Sequence, residues 1–411
     1  MGRRDWTKIL GWPGYQVYQH EIDEKHKTLK LWVRRKRGTK KLICSGCGRH
    51  RGEIHDTTER EVRDLPWSEY RATVVVELHR VRCPECGLRI EKVAQLPSKA
   101  PFSKRFEEAV GQACESASGR QVARRWGLAE STVRAIDLRY LERWSDGRRK
   151  PALRQMGVDE IYLGKKTKFV TVVSNLETRE PLWFGQERKK ETLDEFFRSQ
   201  LSKRQRERIE VACVDMWEPY RLSIEEWAPR CKIVYDKFHI MQHANKAIDE
   251  VRRAEFFRKG GPMRDLMKGK RWLLLTRWVN LADSQKQMLN ELFRINRKVL
   301  KAYLLKESLD RLWNYIYEGA MLRYLQSWID QLRWQRLEPF QKLALMLLDH
   351  LDGILNYCRV KPPLGVVEAI NGNIKMLVRR GRGYKNIRYL LLKAQRMAVT
   401  KTEFVALRRA A

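Results

Sequence analysis

Two Cys-x-x-Cys pairs, Cys44 and Cys47 in CSGCG and Cys83 and Cys86 in CPECG, constrain this chain more than any other feature. Each pair lies in a tight turn closed by a glycine, Gly48 or Gly87, and together they offer four thiolates for a closed tetrahedral site. The 35 residues between the pairs (48–82) must leave that point and return to it. The alternating, β-branched stretch RATVVVELHRVR supplies a strand suited to the return. A redox pair or a disulfide would use the same residue types, but neither explains why both pairs are glycine-closed turns in a basic, non-secreted chain. Structural Zn²⁺ on Cys44, Cys47, Cys83 and Cys86 is therefore expected. The other cysteines, Cys114, Cys213, Cys231 and Cys358, are scattered through apolar surroundings and read as core residues.

The chain carries 84 Lys and Arg against 50 Asp and Glu, a net charge of +34 that points to nucleic acid as partner. Residues 371–411 alone hold eleven basic residues and one acid, Glu403, with apolar residues at helical spacing, so they read as helices with a basic face. There is no apolar run of 18 residues and no signal-peptide core near the start, so a soluble, cytoplasmic protein without a membrane partner is expected. At 411 residues the chain is too long for one compact core.

Residues 1–42 mix aromatics with the basic run RRKRGTKK and show no clear period. We read them as an N-terminal segment, followed by a zinc-binding β module (43–100) and a helical DNA-binding domain (101–148). In the last of these, GRQVARRWGLAESTVRAIDLRY sets Val122, Ala123 and Trp126 on one helical face, turns at Gly127, buries Leu128 and starts a second helix at Ser131. Val133 and Ile136 pack that helix back, leaving Ser131, Thr132, Arg134 and Asp137 outward; with Gln121 these are the candidate DNA contacts of a helix-turn-helix. An ordinary helical hairpin has the same pattern. The breaker-rich GRRKP near 147–151 marks a boundary.

From 154 to 236 the signals run strand, strand, strand, helix, strand, helix, strand: GVDEIYL, KFVTVVSN, PLWFGQE, ETLDEFFRSQLS, RIEVACVD, PYRLSIEEWA and CKIVYD. That order is expected of a ribonuclease-H-like α/β core (149–244, resuming at 361–411), interrupted by a Trp-rich all-helical insertion (245–360) in a multi-domain α+β protein. Asp159 sits centrally on the first strand and Asp215 closes the fourth, its neighbour in such a sheet. Facing carboxylates in a cleft require divalent cations, and two Mg²⁺ (or Mn²⁺) held there would activate an attacking oxygen and stabilise a leaving 3′ oxygen. The third ligand should lie on a later helix. Glu368 opens one, in VVEAINGNIKMLVRRGRGYKN, where Asn371, Lys375, Arg379, Arg380 and Tyr384 follow as candidate DNA contacts. Asp352 and Asp236 are the competing acids. Asp352 lies in a leucine-rich helix with no basic face, and Asp236 ends the fifth strand. Trp217, just past the fourth strand, is either core or a stacking surface for a displaced base.

The combination of CxxC…CxxC, the helix-turn-helix, GVDE, VDMWEPY, YDKFH and EAINGNIKMLVRRGRGYKN resembles the ISL-three family of bacterial insertion-sequence transposases over nearly the whole chain. The resemblance implies a DDE-type enzyme that frees 3′-hydroxyls at an element's ends and joins them to target DNA. It also implies modules that bind double-stranded terminal inverted repeats, a homodimer on DNA, and residence in the bacterial nucleoid. Asp236 and His239 match a D-x-x-H element of such enzymes, as accessory groups at the site or as a helix cap and an interior histidine. The family commonly carries Asn shortly before its third acid, where this chain reads PPLGVVEAIN. A nuclease that cleaves without joining and a non-catalytic regulator are the alternatives.

Overall fold

The computed structural model describes residues 2–410 except 37, 39–41, 150, 165–168, 259–263 and 266. Half of the basic run RRKRGTKK therefore lies outside the described residues. Among the described residues no helix is long and apolar enough to cross a membrane. The chain divides into two compact units, 1–148 and 149–411.

In the first unit, helix α1 (Arg3–Leu10) precedes strands β1 (Tyr15–Asp23) and β2 (Thr28–Arg35), so the first 42 residues are not the aperiodic segment expected. Tyr15, Val17, Leu29, Leu31 and Val33 alternate inward, a period-2 pattern that the half-buried aromatics Tyr18 and Trp32 on the other face obscure. The strands that follow are β3 (Leu42–Ile43), β4 (His50–Arg51), β5 (Ile54–Arg63), β6 (Arg71–Cys83) and β7 (Gly87–Ile90). β2 runs parallel to β6, in a sheet of order β1-β2-β6-β5 with β7 on the end of β6. The N-terminal strands thus share a sheet and a core with β6, whose end carries Cys83, while β3 and β4 pair separately and the cysteines cluster with Leu42 and Val81. Three helices follow: α2 (Lys104–Ser116), α3 (Gly119–Trp126) and α4 (Glu130–Asp146). Ser118 caps α3, and Gly127, with φ of +58°, ends it in the left-handed conformation that glycine adopts freely. Val122, Ala123, Val133 and Ile136 are buried together against α2. Leu128 is half-buried, and Asp137, expected outward, is buried at 1% exposure.

The second unit is built on β8 (Gln155–Tyr162), β9 (Phe169–Asn175), β10 (Glu180–Gln186), β11 (Val211–Val214) and β12 (Lys232–Tyr235), in the order β10-β9-β8-β11-β12. β8, β9 and β10 form an antiparallel meander, while β8, β11 and β12 run parallel. Helices α5 (Lys190–Gln200), α6 (Lys203–Arg206) and α7 (Glu218–Trp227) make the crossovers. After β12 the chain enters α8 (Lys237–Arg258) and a helical stretch that ends with the helix Leu351–Val360. This stretch does not form a core of its own: Met156, Val158 and Val214 of the sheet join Ile240, Tyr303, Trp328 and Phe340 in one buried cluster.

The opposite sheet face is covered by the last two helices, Gly365–Arg380 and Ile387–Ala410, through Val366, Val367, Ile370, Ile374, Leu377, Leu390 and Ala394. Gly157 makes that closure possible. A Cβ there would lie 2.7 Å from Val367 Cγ2 and Leu176 Cδ2. Gly157→Ala should therefore push the Gly365–Arg380 helix off β8 and destabilise this unit by about 1–3 kcal/mol, the usual penalty of overpacking. Thermal denaturation checks this; an unchanged melting temperature would mean the helix does not rest on that strand.

Candidate active site and metal centre

The strand register alone lines up three acids. Cys213 pairs with Gly157 and Val214 with Tyr235, so the same pairing carried onward sets Asp215 level with both Asp159 and Asp236. Asp215 and Asp236 stand just past the C-terminal ends of β11 and β12, where α/β sheets present their ligand sites, and Asp159 lies within β8, two residues beyond its last residue paired with β11. Asp215 and Asp236 are buried, at 6% and 5% exposure, and the Asp236 N–H donates to Val214 O at 2.9 Å.

Each acid has partners that hold it. Asp159 Oδ2 accepts from Asn371 Nδ2 at 2.6 Å, and its Oδ1 accepts from the Glu160 N–H and lies 3.6 Å from His239 Nε2. Asp215 Oδ1 accepts from the Trp217 N–H at 3.2 Å, and Oδ2 is ion-paired with Arg188 Nη2. Asp236 Oδ1 accepts from the Phe238 N–H at 3.0 Å, capping α8, which places His239 one turn inside the site.

Crowding and burial set the electrostatics. Burial raises the Asp215 carboxyl above its ordinary value, with Asp159 adding to the rise and Arg188 and His239 opposing it. Asp236 is pushed up to about 6 by burial and by the charges of Asp159 and Glu368, against the Phe238 N–H and His239. Glu160 is pushed up to about 7, by burial first and then by Asp215 and Asp159. His239 is lowered by burial, but Asp159, Asp215 and Asp236 outweigh that and hold it above its usual value.

The remaining predicted residues separate clearly. Glu368 is exposed in the first turn of its helix, and its charge is felt at Asp236. Asp352 is exposed on a different helix, where its charge acts on Tyr235. Asn371 is buried against Asp159 instead of sharing a face with the exposed Lys375 and Arg379; Arg380 and Tyr384 are half-buried. Trp217 is 38% exposed, with the Arg188 guanidinium 4.4 Å from its ring centre, so it is not a core residue. On α4 Ser131 and Arg134 are exposed and Thr132 half-buried, while the exposed Gln121 uses its carboxamide to cap α3 at Ser118.

Sequence reasoning missed Glu160 and Arg188. Strict alternation sends Glu160 to the sheet face opposite Asp159, and Arg188 lies in GQERKK, one basic residue among many. Neither carried a signal.

The carboxylates suit a hard divalent cation by donor type, and the site leaves polar atoms unmatched. Among the described residues Glu160 Oε2, Arg188 Nε and Asn371 Oδ1 are buried without hydrogen-bond partners. The acids are nevertheless not gathered around one point. Among the described residues the one group of three or more His, Cys, Asp or Glu ligand atoms within 4.8 Å of one another is Cys44, Cys47, Cys83 and Cys86.

Those thiols are brought together by two hairpins, β3–β4 and β6–β7, with Gly48 and Gly87 at φ of +73° and +72°. At Gly46 a Cβ would lie 2.8 Å from Cys86 Sγ. Arg51 Nε donates to Cys83 Sγ at 3.3 Å and holds that thiol down to about 6, whereas burial and the neighbouring sulfurs push Cys86 up to about 12. Four sulfurs at this spacing suit a tetrahedral zinc ion.

A family described as "Transposase" matches residues 156–394, and one described as "zinc-finger of transposase IS204/IS1001/IS1096/IS1165" matches residues 40–86. The "Transposase for insertion sequence element IS1001" of Bordetella parapertussis is 34% identical over 401 residues, spanning 96% of this chain and 97% of that protein. The "Transposase for insertion sequence element IS1557" of Mycobacterium tuberculosis is 24% identical over 380 residues, spanning 85% of this chain and 84% of that protein.

Two outcomes are expected from this geometry. Cys83→Ser should release about one zinc per chain, measured by elemental analysis, because a tetrahedral site does not survive the loss of a thiolate; protein that never contains zinc would refute it. Glu160 retains its proton in the folded protein at pH values where the unfolded chain has lost it. Its contribution to stability is therefore present at low pH and is lost as pH rises toward about 7. Without added divalent cations, Glu160→Gln should melt a few degrees higher relative to the parent at pH 8 than at pH 5. An equal difference at both would show that this carboxyl is not perturbed.

Proposed function

Because the chain belongs to the ISL-three family of insertion-sequence transposases, we propose that it cuts and joins DNA at the ends of such an element with Asp159, Asp215 and Glu368 as its metal-binding acids. The observation that carries this reading is the row of carboxylates across β8, β11 and β12, beside a helix whose first turn holds Glu368. The strand order β10-β9-β8-β11-β12 agrees with the one expected of a ribonuclease-H-like core, which supports assigning the acids to that mechanism. Mg²⁺ bound by these acids supplies charge neutralisation at the scissile phosphate and an activated attacking oxygen.

The chain's own residues do the rest. Asn371 fixes the Asp159 carboxylate through Oδ2, and the Trp217 N–H fixes Asp215 through Oδ1. His239, held toward its protonated form by the acids, places a cation beside Asp159. Lys375 and Arg379, exposed further along the Glu368 helix, meet backbone phosphates. In the first unit, α3 and α4 act as a helix-turn-helix, with Ser131 and Arg134 at the start of α4 turned to the terminal inverted repeats. Zinc on the four cysteines fixes the β module of the same unit. Two element ends need two sites, so the working form is a homodimer on DNA.

Glu368→Gln keeps the side chain's shape and removes the charge a metal requires. It should abolish both cleavage and strand transfer of labelled inverted-repeat DNA with Mg²⁺, a fall of at least about 10³-fold, while end binding in a mobility-shift assay stays near normal. Cleavage near the parent rate would remove Glu368 from the triad and make Asp236 the acid to test.

A further inference from the structure

Arg188 enters the acidic row from the link between β10 and α5, and the link is built to aim it there. Glu187, just before it, has φ of +70°, a left-handed conformation unfavourable for any residue with a side chain. Two bonds from β9 hold it: the Glu187 N–H donates to Phe169 O at 3.1 Å, and Thr171 Oγ1 donates to Glu187 O at 2.7 Å. Thr171 Oγ1 also lies 2.7 Å from the Tyr220 hydroxyl on α7. Backbone strain held by two neighbouring elements is a property of placed residues.

The guanidinium makes three contacts at once. Nη2 pairs with Asp215 Oδ2, Nη1 lies 3.0 Å from Glu160 Oε1, and the Trp217 ring is stacked beneath. Asp215 Oδ1 accepts from the Trp217 N–H, so both oxygens of that acid have partners. A cation that binds Asp215 through Oδ2 takes that oxygen from Arg188, and a cation at either oxygen meets the guanidinium's like charge.

Resting on the reading of Asp215 as a metal ligand, we propose that Arg188 is a resident counter-cation exchanged for the metal at Asp215. Glu160 and Trp217 keep the displaced guanidinium beside the site, where a DNA phosphate is its next partner. Without Arg188 the buried acids would keep His239 as their facing cation and lose the one paired with Asp215; with it, metal loading is a replacement of one cation by another. Its flat, forked donors suit both roles, because carboxylate and phosphate present the same bidentate edge.

The test uses the full-length, zinc-loaded protein without DNA, with Mn²⁺ binding followed by the electron paramagnetic resonance of free Mn²⁺ at low salt. Arg188→Gln should bind Mn²⁺ roughly tenfold more tightly, as expected when a competing ligand is removed, and should melt lower when metal-free. Arg188→Lys, which keeps the charge but not the fork, should fall between and covers the case in which the Gln variant does not fold. Lys189→Gln makes the same charge change on the same link without touching the acids, and should leave Mn²⁺ affinity within about twofold. Asp215→Asn should weaken Mn²⁺ binding and cancel the gain in the double variant. Arg188→Gln that binds no tighter than Lys189→Gln overturns the exchange and leaves the triad standing. Asp215→Asn that binds Mn²⁺ like the parent removes Asp215 as a ligand, and the exchange falls with it.

Discussion

Negative charge brought side by side across three parallel strands is the constraint on which the second unit depends. Asp159, Asp215 and Asp236 are level by strand register, and two of them are buried. Carboxylates so placed raise one another's proton affinity and would be a liability in a protein selected only for stability. What surrounds them reads as compensation. His239, Arg188, the Asn371 amide and the Trp217 and Phe238 N–H groups each meet one oxygen of the row. On the proposed function, the row is the concentrated negative site that the reaction requires.

The packing around the row serves the same end. Gly157 lets Val367 approach β8 more closely than a larger residue would allow, which brings Asn371 to Asp159 and Glu368 into the field of Asp236. On the other face, Gly353 meets the Tyr235 ring where a Cβ would come within 2.4 Å, tying the end of the helical stretch to β12. The long helical excursion between β12 and the Glu368 helix is thereby anchored at its exit next to the strand it left.

Strands and helices of the second unit were legible because each combined a strong period with clear breakers, as in GVDEIYL and RIEVACVD. The cysteine cluster was legible because glycine-closed knuckles have few other uses. β1 and β2 were not, because Tyr18 and Trp32 on the other face blur the alternation, and β6, the partner of β2, lies about forty residues on. Asp137 misled for a related reason: an acid on a helix looks outward unless its tertiary neighbours are known. Arg188 needed the structure most. A link of three residues and a left-handed Glu187 aim it at the acids, and nothing in local composition distinguishes it from Lys189 or Lys190 beside it.

The most direct measurement is anomalous diffraction at the manganese edge from crystals of the protein bound to inverted-repeat DNA and Mn²⁺. This account predicts manganese density bonded to the carboxylates of Asp159 and Asp215, with Glu368 completing the site and Arg188 moved off Asp215. Manganese coordinated elsewhere, or an Asp215 still paired with Arg188 in a metal-loaded complex, would contradict it.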